Sequence, residues 1–228
     1  MKKILIFILS IFIVSYGKEQ NQEFKFDKKI IYIGVPALTL SFLLDNSVKN
    51  FTQKNKSNSL NSITDIFNVA GSGYAIALPI STYALGEYKK DEKLAKTSRV
   101  AIASSVIAAS IVFPIKYITH RKRPDNSDYY SFPSGHTAFA FAIFGSYAKF
   151  YNEGITPYVL YSIPVLTGFS RIYKNKHYFS DVVGGAVIGL SSVYLGEWIE
   201  KKLSIKWGIG GYIRISKKEA LIDLKYRF

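Results

Sequence analysis

Ala101-Ile-Ala-Ser-Ser-Val-Ile-Ala-Ala-Ser110 decides the fold class. It lies inside the apolar segment Val100–Ile118, mixes small residues with a wide apolar face, and lacks the alternation of a half-buried strand, so it reads as a closely packed helix. The segments Ile30–Leu44, Ile66–Tyr83, Thr137–Phe150, Tyr158–Phe169 and Val182–Ile199 share this character. The expected fold is all-α, a six-helix bundle. Polar residues from Asp45 to Ser62 and from Glu87 to Lys96 are expected to separate the first three helices. Gly184, Gly185 and Gly189 suit close packing of the sixth helix on a neighbour, whereas Gly71-Ser-Gly73 is too little for a phosphate loop.

Outside the bundle the pattern changes. Met1-Lys2-Lys3, the apolar run Ile4 to Val14 and the small residues around Ser15 and Gly17 read as a secretory signal peptide over residues 1–17. Eleven apolar residues are too few to span about 30 Å of hydrocarbon. At the other end, Ile222, Leu224, Tyr226 and Phe228 alternate with Leu221, Asp223, Lys225 and Arg227, so residues 204–228 are expected to hold a short C-terminal β-hairpin, with Tyr212 to Ser216 as the partner strand. The helical domain is then residues 18–203. From Lys201 the tail carries eight Lys or Arg against two acidic residues, which suits contact with acidic lipid.

The 228 residues include 30 Lys plus Arg against 16 Asp plus Glu, for a net charge of +14, and no Cys. The absence of Cys excludes a thiolate nucleophile, a disulfide framework and a Cys-containing zinc site. The basic residues are spread between apolar runs without a nucleic-acid-binding motif, so phosphorylated substrates or anionic headgroups are the expected partners and nucleic acid is not. Several apolar runs hold only 12 to 16 clean residues and mean hydropathy is only +0.10. These features favour an exported, periplasmic or envelope helical domain lying on a membrane over a six-span protein.

Chemistry concentrates in three loops. In Lys116-Tyr-Ile-Thr-His-Arg-Lys-Arg123-Pro124, residues seven apart share a helix face, so Lys116 and Arg123 can point into one space before Pro124 ends the element. In Ser131-Phe-Pro133-Ser134-Gly135-His136-Thr137, Ser134 suits the N-cap of the fourth helix, and free amides at Gly135 form an anion cradle beside His136. In Ser170-Arg171-Ile-Tyr-Lys-Asn-Lys-His177-Tyr-Phe-Ser-Asp181, the pair four apart allows Asp181 to hold His177 Nδ1–H and leave Nε2 free as a nucleophile.

The ordered set K-x6-RP, PSGH and SR-x5-H-x3-D resembles the three-part signature of the type 2 phosphatidic acid phosphatase (PAP2) superfamily, which includes bacterial acid phosphatases and vanadium haloperoxidases. The resemblance runs from Lys116 to Asp181. It implies a PAP2-type bundle in which His177 attacks phosphorus, Asp181 orients it, and His136 protonates the leaving alkoxide and then activates water. Lys116, Arg123 and Arg171, with Ser134 and the Gly135 amide, would bind the phosphoryl oxygens, so neither metal nor other cofactor is required. His120 would be a bystander or pocket wall. The implied activity is hydrolysis of a phosphate monoester or diphosphate, with a membrane lipid phosphate as substrate. A vanadate-dependent haloperoxidase and a non-catalytic envelope binding module are the alternatives.

Overall fold

The segment that follows Ser134 is buried nearly all round, with Thr137, Ala138, Ala140, Phe141, Ala142, Ile143, Ser146, Tyr147 and Ala148 all inside. A helix apolar on every side must be surrounded by others. This computed structural model describes residues 26–207. Among them are seven α-helices and no strand: α1 (Lys29–Lys54), α2 (Asn58–Ala70), α3 (Ala77–Lys89), α4 (Glu92–Thr119), α5 (Gly135–Phe150), α6 (Thr156–Tyr173) and α7 (Phe179–Trp207). A 3-10 turn, Gly73–Ile76, joins α2 to α3. The central α5 packs on α4, α6 and α7; α1 lies along α7, α2 along α6 and α3 along α4. Leu38, Ala108, Val112, Ile115, Phe132, Ala138, Ala142 and Ile188 form the main core directly beneath the start of α5.

Caps set the starts. Ser57 Oγ accepts Leu60 N–H for α2, Asp91 Oδ1 accepts Leu94 N–H for α4, and Ser134 Oγ accepts Thr137 N–H for α5. The glycines of α7 allow close contact. A Cβ on Gly185 would lie 2.5 Å from Ser134 O, and one on Gly189 2.5 Å from Ala138 O. The close packing expected of the sixth apolar segment is therefore present, and it presses α7 onto the first two turns of α5.

Two expectations about the helices change. The run Ile66–Tyr83, read as one helix, is α2 and α3 meeting at a bend of 51°, so the described residues hold seven helices instead of six. Gly71 lies at the break, and its backbone rests on the first turn of α5, where a Cβ would stand 2.3 Å from His136 O and 2.7 Å from Thr167 Cγ2. The polar stretches read as separators are helical for most of their length. α1 runs ten residues past Leu44 to Lys54, because Asp45 is buried and paired instead of solvated.

Length corrects the third expectation. Lys29–Lys54, Glu92–Thr119 and Phe179–Leu203 are 26, 28 and 25 residues long and apolar enough to cross a membrane, because each helix continues beyond its clean apolar run. At 1.5 Å per residue each exceeds about 30 Å. Their outward faces carry large apolar side chains, among them Leu40, Leu43 and Phe51 on α1 and Val106 and Phe113 on α4. The chain is membrane-associated. The signal peptide at 1–17 and the strands of the hairpin lie outside the described residues, and α7 continues to Trp207, past the expected boundary at 203.

Candidate active site

Three connections converge at one end of the bundle: the C-terminus of α4, the N-terminus of α5 and the turn between α6 and α7. Each motif reaches this place by a local device. α4 ends at Thr119, where His120 takes a left-handed conformation (φ 46°) and its N–H bonds to Lys116 O. Arg123 is thus on a loop and not on the helix face inferred from the seven-residue spacing. It still joins the site, because its Nε donates to Asp128 Oδ1 at 2.6 Å and its Nη1 to Lys176 O at 3.3 Å, 3.5 Å from His177 Nε2. Lys116 Nζ donates to Tyr130 O at 2.5 Å, and Tyr130 N–H bonds to the same Asp128 carboxylate. The segment 128–130 therefore holds both cations.

Ser134 caps α5, also accepting Thr137 Oγ1–H at 2.9 Å, and its own N–H bonds to Asp181 O at 2.8 Å. Gly135 faces Lys116: a Cβ there would be 3.8 Å from Lys116 Cε. His136, in the first turn, is close enough to Arg171, Arg123 and Lys116 for their charges to act on it; burial above all, and then these cations, push it down to about 3. Arg171 is buried, with one guanidinium nitrogen donating to Asn68 Oδ1 and its Nε left without a partner.

His177 and Asp181 meet by capping. His177 lies in the turn before α7, and Asp181 is the third residue of that helix. Its Oδ2 reaches back to Tyr178 N–H at 2.7 Å, the carboxylate half of a capping box. The same oxygen accepts Ser131 Oγ–H at 2.5 Å. His177 Nδ1 stands 3.6 Å away, within ion-pair range but beyond a hydrogen bond, and otherwise unpartnered. Burial lowers the imidazole to about 4 against the upward pull of Asp181, with Lys116 and Arg171 adding to the depression. The ring is therefore neutral at physiological pH, as a nucleophile must be.

All eight residues named from the motifs gather here. His120 does not take part: it is exposed and stacked on Tyr129 at 4.7 Å between centroids. Sequence reading missed the supports. Asn68 holds Arg171 from α2, while Arg121 and Asp45 hold Asp181 from the other side. Arg121 sits inside the first motif, but nothing in its spacing marks it. Asp45 opens a polar stretch and Asn68 stands alone in an apolar run, each on a helix far away in the chain. Among the described residues no cluster of three or more His, Asp or Glu could hold a metal ion.

Comparisons with known proteins bear on the family and on the fold. The PAP2 superfamily profile matches residues 98–204. The chain is 38% identical over 111 residues to a lipid A 1-phosphatase of Porphyromonas gingivalis, covering 46% of this chain and 24% of that protein. It is 30% identical over 103 residues to phosphatidylglycerophosphatase B of Bacillus subtilis, covering 39% of this chain and 51% of that one. The chain thus spans about a quarter of the length of the first relative and about half that of the second. Among solved structures, a transmembrane PAP2-type phosphatidylglycerolphosphate phosphatase from B. subtilis superposes with a TM-score of 0.65 at 20% identity, over 78% of this chain and 98% of that one. LpxE of Aquifex aeolicus superposes with a TM-score of 0.56 at 24% identity, over 70% and 95%. Both likenesses concern the fold.

Proposed function

We propose that this chain, whose residues 98–204 match the PAP2 superfamily profile, is a phosphatase of a membrane lipid phosphate, such as a phosphatidate, phosphatidylglycerophosphate, polyprenyl diphosphate or lipid A type, working without a metal. One observation carries this reading: a neutral buried histidine, His177, has its Nε2 3.5 Å from Arg123 Nη1 and its other nitrogen beside Asp181, with His136 facing the same cations. The lipid A 1-phosphatase and phosphatidylglycerophosphatase B relatives support the substrate class. Three helices able to span a bilayer support an integral protein, which we prefer to a peripheral periplasmic domain.

In the proposed reaction Nε2 of His177 attacks phosphorus, and the bond from phosphorus to the leaving oxygen breaks as His136 gives that oxygen a proton. A water then loses its proton to His136 and attacks phosphorus, the P–N bond breaks, and inorganic phosphate leaves with His177 restored. Asp181 stabilises the charge that develops on the His177 ring. Lys116, Arg123 and Arg171, with the amides at the start of α5, take the phosphoryl oxygens. A bound dianion offsets the cations that depress His136, raising its affinity for the proton it must donate.

The test is phosphate release from micellar lipid phosphates in the presence of a chelator. Wild type is expected to be active and His177→Ala to lose at least about 10⁴-fold. Activity that requires a divalent metal, or survives in His177→Ala, overturns the reading. Halide oxidation by peroxide on adding vanadate would favour a haloperoxidase instead.

A further inference from the structure

We propose that Arg121 and Asp45 are positioning residues of the site: Arg121 divides the charge of Asp181 with His177, and Asp45, from α1, fixes Arg121 in the place where it does so. This rests on the function proposed above and adds two residues outside its motif set.

The geometry is a closed network. Arg121 Nη1 donates to Asp181 Oδ1 at 2.7 Å and to Ser180 Oγ at 2.6 Å, while Nη2 donates to Asp45 Oδ2 at 2.6 Å. Ser180 donates its hydroxyl to Asp45 Oδ2 at 2.7 Å and its N–H to Asp45 Oδ1 at 2.8 Å. The guanidinium also lies against the rings of Phe42, at 5.3 Å, and Tyr178, at 4.3 Å. It therefore has one available position. Asp181 is fully buried, Asp45 nearly so, and neither carboxylate can relax into water.

A division of labour follows on Asp181. Oδ1 belongs to Arg121; Oδ2 belongs to Ser131 and Tyr178 N–H and faces His177 Nδ1. The carboxylate thus cannot rotate toward the imidazole. Its negative charge is partly spent on a guanidinium, which limits how strongly it stabilises a positive ring at His177. The other groups acting on that ring, Lys116, Arg171, Arg123 and His136, all oppose a positive charge when they are protonated. Asp181 is the only carboxylate in contact with it among the described residues. Removing Arg121 leaves Asp181 free to bind His177 more tightly, raising its basicity while allowing the ring to drift from the phosphoryl line. Arginine is specified over lysine because two carboxylates must be held at fixed angles by one planar group.

The experiment measures two properties of purified full-length protein in micelles, with Arg121→Gln, Arg121→Lys and Asp45→Asn. The first is the imidazole titration of His177, followed by nitrogen NMR with His177→Ala for assignment; it needs no substrate. Arg121→Gln is expected to raise the His177 pKa by about one unit. The second is kcat and KM on the lipid phosphate. kcat is expected to fall about 100-fold in Arg121→Gln and about 10-fold in Asp45→Asn with KM within about threefold, and Arg121→Lys is expected to recover part of the loss. An unmoved His177 titration in folded Arg121→Gln overturns the proposal, as does full kcat in Asp45→Asn. A shifted titration in a protein that hydrolyses no lipid phosphate keeps the positioning role and removes the proposed function. Should Arg121→Gln fail to fold, the Asp45→Asn titration, expected to move the same way by less, decides.

Discussion

Two arginines at opposite ends of α4 tie it to α7. Arg99, near its start, reaches Glu200 at 3.1 Å, Glu92 at 2.6 Å and Glu87 at 3.6 Å, and so joins α3, α4 and α7. Arg121, just past its end, reaches Asp181 and Asp45 and joins the same α7 to α1. The side chains are similarly shielded, 18% and 21% exposed, so burial does not separate their roles. What separates them is the neighbour of the acceptor. Glu200 has no histidine at the Arg99 cluster, whereas Asp181 stands 3.6 Å from His177. On the function proposed above, the same ionic chemistry is structural at one end of the bundle and positions a reacting group at the other.

Exchanging glutamine for each arginine is the most direct way to break this contrast. Arg121→Gln is expected to lower kcat about 100-fold, while Arg99→Gln keeps kcat within about threefold and lowers the unfolding midpoint through a loss of about 1–3 kcal/mol. Equal kcat losses in the two variants would abolish the distinction. Gly71→Ala sharpens it from the other side of the site. The added methyl must displace the His136 carbonyl, so about 1–3 kcal/mol of destabilisation should come with about a 10-fold loss of phosphate release.

The pH profile separates the ends more gently. His136 and His177 titrate near 3 and near 4 when folded, below the ordinary value of 6.5. The unfolded chain therefore binds more protons than the native one as pH falls from about 6.5 toward 4, and native stability falls over that window. His177→Asn should flatten the profile in thermal unfolding, and Arg99→Gln should not. The smallest effect is expected of His120→Ala: exposed and stacked only on tyrosines, it should leave kcat/KM within about twofold and stability within about 0.5 kcal/mol.

The sequence named the residues that meet at this end of the bundle and said much less of how they are held there. Lys116, Arg123, Ser134, His136, Arg171, His177 and Asp181 could be named because each lies in a short motif. The devices that unite them were read differently. Arg123 arrives by a loop anchored on Asp128, since His120 ends α4 early. Asp181 reaches the His177 turn as the third residue of a helix, not across a helical turn. In the fold, apolar runs located each helix interior but not its ends, because polar residues such as Asp45 continue a helix when a partner waits inside. The break at Gly71 was illegible, since it rests against the backbone of residue 136, 65 positions away.

Asp45, Asn68 and Gly71 all precede residue 98, where the superfamily profile begins to match. A fragment trimmed to that match would retain every signature letter, yet forfeit the acid that steadies Arg121, the amide that holds Arg171 and the bend that backs His136. On the proposed function, the smallest unit expected to be active is consequently larger than the recognisable one, and transplanting the motifs alone onto another bundle would move the side chains without the frame that aims them.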